Sequence, residues 1–175
     1  MNTLNGKHII LGITGGIAAY KSAELTRRLR DAGARVRVVM THGATEFVTP
    51  LTLATLSGNQ VARSEFKPDP GPEIGHIELA RWADLVLVAP ASADLMARLA
   101  AGLADDLLTT LALATTAPLV LAPAMNHRMW LLPAPQACAE RLRARGVPLP
   151  GPDAGEQACG ETGPGRMLTL SPLTP

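Results

Sequence analysis

The sequence predicts an α/β fold: one domain in which a parallel sheet carries helices on both faces. Three observations support this prediction. Short apolar runs alternate with amphipathic stretches along the chain, and continuous apolar runs are typical of strands buried on both faces. Strands that alternate with helices favour a parallel sheet. The 175 residues, 47% of them hydrophobic, suffice for one full core.

The apolar runs are predicted as strands and the amphipathic stretches as helices. The predicted strands are His8–Ile13, Arg35–Met40, 84–89, 118–122 and a short fifth one at 147–149. The predicted helices are 17–32, 51–56, 92–101, 105–115 and 129–145, the first capped by Gly33 and the last interrupted by two prolines near its start. No internal repeat is visible.

Composition excludes several classes of function. The formal net charge is +1 and no basic run occurs, which disfavours nucleic acid and membrane surfaces as partners. Cys138 and Cys159 are the only two cysteines and form no metal-binding or disulfide pattern. The N-terminus lacks the apolar core of a signal peptide, and the run 111–125 is broken by Pro118. These features predict a cytoplasmic protein without a metal.

The first two strand ends predict a phosphate site. In folds of this class the ligand lies beyond the carboxyl ends of the strands. The first strand leaves through a turn that contains Gly15 and Gly16 and opens a helix, which suits a phosphate, although a merely tight turn explains the glycines equally well. The second ends at Thr41 without the acidic residue that binds a dinucleotide ribose. FMN therefore fits better than NAD.

The next two strand ends supply candidate polar groups. Ser92 and Asp94 follow the third strand, where either could bind a ligand, but capping of the next helix is the favoured reading. Asn126 follows the fourth strand, and its uncharged carboxamide suits a substrate carboxylate. His76 adjoins a glycine ahead of the third strand and is a candidate base, although a lone histidine is more often structural.

The stretch 155–167 is the most unusual in the chain. Four glycines and one proline in thirteen residues predict a loop rather than a helix or a regular strand. Cys159 lies near its centre, where a thiol is available for chemistry. A surface loop with an incidental cysteine is the alternative.

Six motifs in order resemble one family. They are Gly12-Ile-Thr-Gly-Gly-Ile-Ala-Ala-Tyr-Lys21, Gly75-His-Ile-Glu-Leu79 with Trp82-Ala-Asp84, Pro90-Ala-Ser-Ala-Asp94, Asp105-Asp-Leu-Leu-Thr-Thr110, Pro123-Ala-Met-Asn126 and Ala158-Cys-Gly160. This pattern resembles the homo-oligomeric flavin-containing cysteine decarboxylases. Within that family the likeness is greatest to phosphopantothenoylcysteine decarboxylases of coenzyme A biosynthesis, which form the N-terminal domain of bacterial bifunctional proteins.

The resemblance implies a Rossmann-like flavoprotein domain over residues 1–175, with 152–167 as a substrate flap and without the ligase domain that usually follows. The implied activity is the FMN-dependent decarboxylation of 4′-phosphopantothenoylcysteine to 4′-phosphopantetheine, through transient oxidation to a thioaldehyde, loss of CO2 and re-reduction. The family forms trimers or multiples of trimers, with the site near the subunit interface.

The resemblance also implies residue roles. His76 would be the catalytic base, Asn126 the ligand of the substrate carboxylate and Cys159 the proton donor. FMN would contact Gly15, Gly16, Thr41, Ser92, Ala93, Asp94 and Ala124. The substrate would contact Asn126, Met129, Ala158, Cys159 and Gly160.

One departure and several alternatives stay open. Many relatives have Asn-Thr where this chain has Asp94-Leu95, and a carboxylate there would repel a phosphate. An oxidative peptidyl-cysteine decarboxylase and a non-catalytic regulatory flavoprotein are the alternative functions. The Ala-Cys-Gly motif around Cys159 disfavours the first, and retention of His76, Asn126 and Cys159 together disfavours the second. Cys138 is predicted to be a buried structural thiol. His127 is predicted to be structural or solvent-facing, but it adjoins Asn126 and could line the site.

Overall fold

A four-stranded parallel sheet organises the molecule. The computed structural model describes residues 4–65 and 75–168. The strands are β1 (His8–Ile13), β2 (Arg35–Met40), β3 (Leu85–Ala91) and β4 (Leu119–Pro123), in the order β2-β1-β3-β4. The predicted α/β fold with a parallel sheet is confirmed.

The predicted fifth strand is wrong. Residues 147–149 follow the edge of β4, where the backbone N–H of Leu121 donates to the carbonyl of Pro148 at 3.0 Å, but they form no strand. Pro148 has no N–H to donate in return. The segment therefore makes this backbone hydrogen bond to β4 but does not extend the sheet.

Seven α-helices surround the sheet in the described part of the chain. They are α1 (Lys21–Asp31), α2 (Pro50–Ser57), α3 (His76–Trp82), α4 (Ala93–Ala101), α5 (Leu107–Ala114), α6 (His127–Leu131) and α7 (Pro133–Ala144). Short 3-10 helices span Ile17–Tyr20 and Gly43–Glu46. The predicted helix 129–145 is two helices, because Leu132 is extended ahead of Pro133, as residues before proline prefer.

The two faces of the sheet carry separate helical layers. Ile10 of β1 packs into one buried cluster with residues of α3, α4, α5 and α7. Leu11, the next residue, packs into the other cluster with residues of α1 and α2. Because successive strand residues point to opposite faces, the apolar runs serve both layers. None of the described helices is long and apolar enough to cross a membrane.

The glycine-rich stretch is a β-hairpin, so the prediction that it forms no regular strand is wrong. β5 (Asp153–Glu156) pairs antiparallel with β6 (Thr162–Arg166). Gly165 shows why glycine occurs within β6: it has φ +149°, and an added Cβ would overlap the carbonyl oxygen of Met125. The glycines thus permit close approach between the hairpin and the chain after β4, and they do not break the strands.

Candidate active site

A buried threonine joins the carboxyl ends of β1 and β3. The hydroxyl of Thr14 donates to the carbonyl of Pro90 at 2.6 Å and accepts from the backbone N–H of Ser92 at 2.9 Å. Thr14 is 1% exposed, so these bonds are shielded from water. Thr14 was not among the predicted site residues; a polar side chain between an apolar strand and a Gly-Gly pair is the signal that could have identified it.

The two adjacent glycines of the first turn differ in their surroundings. A Cβ added to Gly15 would lie 2.9 Å from the backbone carbon of Gly43, whereas a Cβ on Gly16 would meet nothing within 4 Å. Gly15 therefore allows two backbones to touch. Gly16 borders open space at the start of the helical segment, where backbone N–H groups lack intrahelical partners.

The end of β2 closes against the same turn. The backbone N–H of Thr41 donates to the carbonyl of Ile13 at 3.0 Å, and its hydroxyl accepts from Ala44 at 3.3 Å. The hydroxyl keeps its own proton available for a ligand. No acidic residue lies at this strand end.

Ser92 is the N-cap of α4, as the capping interpretation predicted. Its hydroxyl accepts from the backbone N–H of Leu95 at 3.2 Å, and Ala93 begins the helix. Asp94 pairs with Arg98, with Oδ2 2.9 Å from Nη2, and its side chain is 75% exposed. Arg98 also pairs with Asp105 and Asp106. The carboxylate of Asp94 is therefore held in an ion-pair network in which it shares Arg98 with Asp105 and Asp106.

The fourth strand end presents a carboxamide. The backbone N–H of Ala124 donates to the carbonyl of Ala91 at 3.0 Å, which fixes the end of β4 against β3. Asn126 follows as the N-cap of α6, and its Oδ1 accepts from the backbone N–H of Arg128 at 2.9 Å. Because the cap uses the oxygen, the Nδ2 protons of Asn126 remain for other groups.

The hairpin brings Cys159 to Asn126. Nδ2 of Asn126 lies 3.7 Å from Sγ of Cys159 and 3.3 Å from Oε2 of Glu161. The thiol of Cys159 in turn lies 3.6 Å from Oε2 of Glu161. Two of the three predicted catalytic side chains are thus neighbours, although 33 positions separate them in sequence. Glu161, the third member of this cluster, was not predicted.

Cations and donors surround the carboxylate of Glu161. Nη2 of Arg128 lies 3.1 Å from Oε1, and Nδ1 of His127 lies 3.5 Å from Oε2. The hydrogen bond from Asn126 is the main cause that lowers the pKa of Glu161 from its ordinary value, and the charge of Arg128 acts in the same direction. The carboxylate is therefore ionised at neutral pH.

Gln157 fastens the hairpin to the segment after β4. Its Oε1 accepts from the backbone N–H of His127 at 2.9 Å, and its Nε2 donates to the carbonyl of Met125 at 3.0 Å. The carbonyl of Gly165 adds a bond from the backbone N–H of Met125 at 2.9 Å. Gln157 was also missed, since its role depends on a contact between distant segments.

The remaining predicted substrate residues lie around this cluster. Ala158 and Gly160 flank Cys159 in the exposed turn of the hairpin, with Gly160 at φ +82°. Met129 lies on α6 and is 44% exposed.

At the base of the hairpin, burial is the main cause that lowers the pKa of Lys21; the charge of Arg166 lowers it further, and Asp153 acts in the opposite direction.

His76 occupies a different element from the Asn126–Cys159 pair. It is the first residue of α3, and its Nδ1 lies 2.9 Å from Oε1 of Glu65. Within the described ranges no hydrogen bond or ion pair joins His76 to Asn126 or Cys159. Its predicted role as catalytic base stays a prediction. Residues 4–65 and 75–168 contain no group of three or more His, Cys, Asp or Glu side chains that could hold a metal ion.

Comparisons with known proteins place the chain in a family. The model of the family described as Flavoprotein matches residues 1–174. The chain is 61% identical over 168 residues to the coenzyme A biosynthesis bifunctional protein CoaBC of Vibrio cholerae, covering 96% of this chain and 42% of the relative. It is 56% identical over 172 residues to CoaBC of Escherichia coli K12, covering 98% and 42%. The chain thus spans less than half the length of these curated relatives.

Two solved structures of similar proteins support the same family. One is a cysteine-to-serine mutant of a PPC decarboxylase complexed with pantothenoylaminoethenethiol, with TM-score 0.83, 32% identity and coverage of 97% of this chain and 94% of the other. Another is the FMN-dependent cysteine decarboxylase SpaF, with TM-score 0.83, 28% identity and coverage of 98% and 94%. On the family match and these similarities, the chain belongs to the Flavoprotein family.

Proposed function

We propose that this chain catalyses the FMN-dependent decarboxylation of 4′-phosphopantothenoylcysteine to 4′-phosphopantetheine in coenzyme A biosynthesis. The observation that carries the proposal is the contact between Asn126 and Cys159 beside the carboxyl edge of the sheet. A carboxamide and a thiol at one place suit a substrate that loses a carboxylate and then gains a proton. The similarity to CoaBC proteins and to a PPC decarboxylase supports the same substrate.

The residues at the sheet edge fit FMN. Gly16 borders open space next to the unpaired N–H groups of a helix start, and Thr41 and Ser92 offer hydroxyls at neighbouring strand ends. Asp94, the one acid among the predicted contacts, is paired with Arg98, so its charge opposes a phosphate less than a free carboxylate would. We assign Gly15, Gly16, Thr41, Ser92, Ala93 and Ala124 to the cofactor site, with Asp94 at its margin.

The chain's own residues handle orientation and protons. When bound, FMN supplies a reversible oxidation of the substrate cysteine to a thioaldehyde, which accepts the electrons released with CO2. His76 takes the thiol proton as general base. Asn126 orients the carboxylate through Nδ2 without neutralising it, so the charge can leave as CO2. Cys159 donates the proton that replaces the lost carboxyl group, which leaves a decarboxylated product of unchanged oxidation state.

The segment 152–167 acts as a flap over the substrate. It meets the segment after β4 through Gln157 and Gly165, and its turn carries Ala158, Cys159 and Gly160. Closure of such a segment excludes water and completes the set of reacting groups.

A homo-oligomer, a trimer or a multiple of trimers, completes the site, and the protein acts in the cytoplasm. Exposed apolar side chains support the oligomer: Ile17 and Tyr20 near the first turn are 62% and 60% exposed, and Leu131 and Leu132 at the end of α6 are 61% and 56% exposed. Large apolar side chains exposed in groups mark interaction surfaces. Among the described residues, no hydrogen bond or ion pair joins His76 to the Asn126–Cys159 pair of the same chain, as expected for a site assembled between copies.

Product mass tests the function. The purified yellow protein is incubated with 4′-phosphopantothenoylcysteine, and the molecular mass of the product is measured by mass spectrometry. We expect a product that has lost CO2 alone. A product that has lost CO2 and two hydrogens would indicate an oxidative decarboxylase instead. A Cys159→Ser variant is expected to release CO2 but to accumulate the enethiol, while Cys138→Ser, at a half-buried position on α7, should turn over normally. Full turnover by Cys159→Ser would exclude the assigned role of the thiol.

A further inference from the structure

The proposed carboxylate-binding groups already hold a carboxylate. Nδ2 of Asn126 donates to Oε2 of Glu161 at 3.3 Å, and the thiol of Cys159 lies 3.6 Å from the same oxygen. Glu161 comes from the flap itself, two positions after Cys159. The side chain that would orient the substrate carboxylate is therefore satisfied by a chemically equivalent group of the protein.

We propose that Glu161 is an internal carboxylate that occupies Asn126 and Cys159 in the substrate-free flap; when the substrate binds, Glu161 gives up Asn126 to the substrate carboxylate and releases the thiol of Cys159. The proposal rests on the proposed function for the identity of that substrate. Glu161 is a positioning residue: it sets the resting orientation of the carboxamide and the thiol, and it lowers the affinity for any ligand whose carboxylate must take its place.

Two features make the exchange feasible. The Glu161 side chain is 39% exposed, and exposed ionic contacts contribute little free energy, so a ligand can displace it. Arg128 holds the other oxygen, Oε1, at 3.1 Å, and its own side chain is 77% exposed. When Oε2 leaves Asn126, the carboxylate can remain paired with Arg128, since neither partner is enclosed by the core.

The negative charge of Glu161 affects whether a second carboxylate can bind at Asn126. The hydrogen bond from Asn126 lowers the pKa of this carboxyl below its ordinary value, so Glu161 is negative across the neutral range. Two carboxylates at one carboxamide repel each other. The substrate and Glu161 therefore exclude each other at Asn126 instead of sharing it.

A matched pair of unreactive ligands tests the exchange. 4′-Phosphopantothenoylserine and 4′-phosphopantothenoylethanolamine lack the thiol and differ only in the carboxylate. Dissociation constants are measured by titration calorimetry on the flavin-loaded wild type and on Glu161→Gln. The variant should bind the serine ligand about two- to fivefold more tightly and the ethanolamine ligand unchanged. Equal changes for both ligands, or weaker binding of the serine ligand, would overturn the proposal.

Two further measurements keep the outcome decisive. Glu156→Gln, at an exposed position of β5 in the same hairpin, is the control and should leave both affinities unchanged. Alkylation of Cys159 by iodoacetamide, with Cys138 as internal reference, should be about two- to fivefold faster in Glu161→Gln, because the carboxylate no longer holds the thiol proton. If the wild type binds neither ligand, the proposed substrate is wrong, and the alkylation rate alone decides the role of Glu161: an unchanged rate would overturn it.

Discussion

The sheet edge and the hairpin are both rich in glycine, yet the chain builds them on opposite principles. At the sheet edge, Thr14 is buried and Gly15 presses against the backbone of Gly43. In the hairpin, Cys159 and its two neighbours are exposed, and polar side chains such as Gln157 make the attachments. The sheet edge is held by buried contacts at Thr14 and by the close backbone approach at Gly15, whereas the hairpin is attached by a few half-exposed hydrogen bonds.

The difference explains how one small domain can hold a cofactor and still admit a substrate. Buried contacts are costly to open, so the edge keeps its shape. Half-exposed hydrogen bonds contribute about 1 kcal/mol each, so the hairpin can open locally while the sheet stays folded. Substitutions at the edge should therefore lower global stability, whereas substitutions in the hairpin should change ligand binding.

The largest effect is expected from Gly15→Ala. The new Cβ would lie 2.9 to 3.1 Å from three backbone atoms of Gly43, which cannot rotate away as a side chain could. We expect the free energy of unfolding to fall by about 2–3 kcal/mol, measured by urea denaturation. Gly16→Ala is the matched control: its Cβ meets open space, so stability should be kept while flavin content falls. Equal destabilisation by both variants would contradict the contrast.

A smaller effect is expected from Thr14→Val, which keeps the shape but removes the hydroxyl. The backbone N–H of Ser92 loses its acceptor, and the carbonyl of Pro90 loses a donor. The free energy of unfolding should fall by about 1–2 kcal/mol. Thr14→Ser restores the hydroxyl and should recover most of this loss. If Val and Ser behave alike in denaturation, the hydrogen bonds at this edge are not what stabilises it.

The sequence could predict the sheet because apolar runs report burial directly. β1 and β2 begin and end where predicted. The errors have a common cause. Residues 147–149 are apolar but contain a proline, which cannot donate a backbone hydrogen bond to extend the sheet. Glycine is required in the hairpin because the backbone approaches Met125 closely, and no local sequence pattern reveals that contact.

Residues of the candidate site could be predicted only where a single stretch of sequence was enough to make them stand out. Asn126 and Cys159 stand out because each is an unusual residue in its own stretch, and the structure makes them neighbours. Glu161 and Gln157 look like ordinary surface residues in sequence. Their contacts join segments about 30 positions apart, so the fold must be known before either can be recognised.

In the hairpin, Gly165→Ala should act on binding more than on stability. The added Cβ would overlap the carbonyl oxygen of Met125 and approach Nε2 of Gln157, at a φ of +149° that alanine adopts poorly. The attachment after β4 should loosen, so KM for the proposed substrate rises several-fold while the urea midpoint moves less than in Thr14→Val. A shift of the midpoint as large as that of Gly15→Ala would show that the hairpin is part of the core.

The smallest effect is expected from Gln157→Ala, which removes the side-chain attachment and leaves the backbone of the hairpin unstrained. Two half-exposed hydrogen bonds, to Met125 and from His127, are lost, whereas the bond between Met125 and Gly165 remains. The hairpin should open more often by about 1 kcal/mol in local free energy, seen as faster hydrogen exchange at the amide of His127. Gln136→Ala, which removes a side-chain hydrogen bond to the carbonyl of Trp130 near the C-terminal end of α6, should leave that exchange rate unchanged. Because the loss is local, the two variants should differ at the hairpin and agree in the urea midpoint; a lower midpoint for Gln157→Ala alone would mean that the flap and the sheet unfold as one unit.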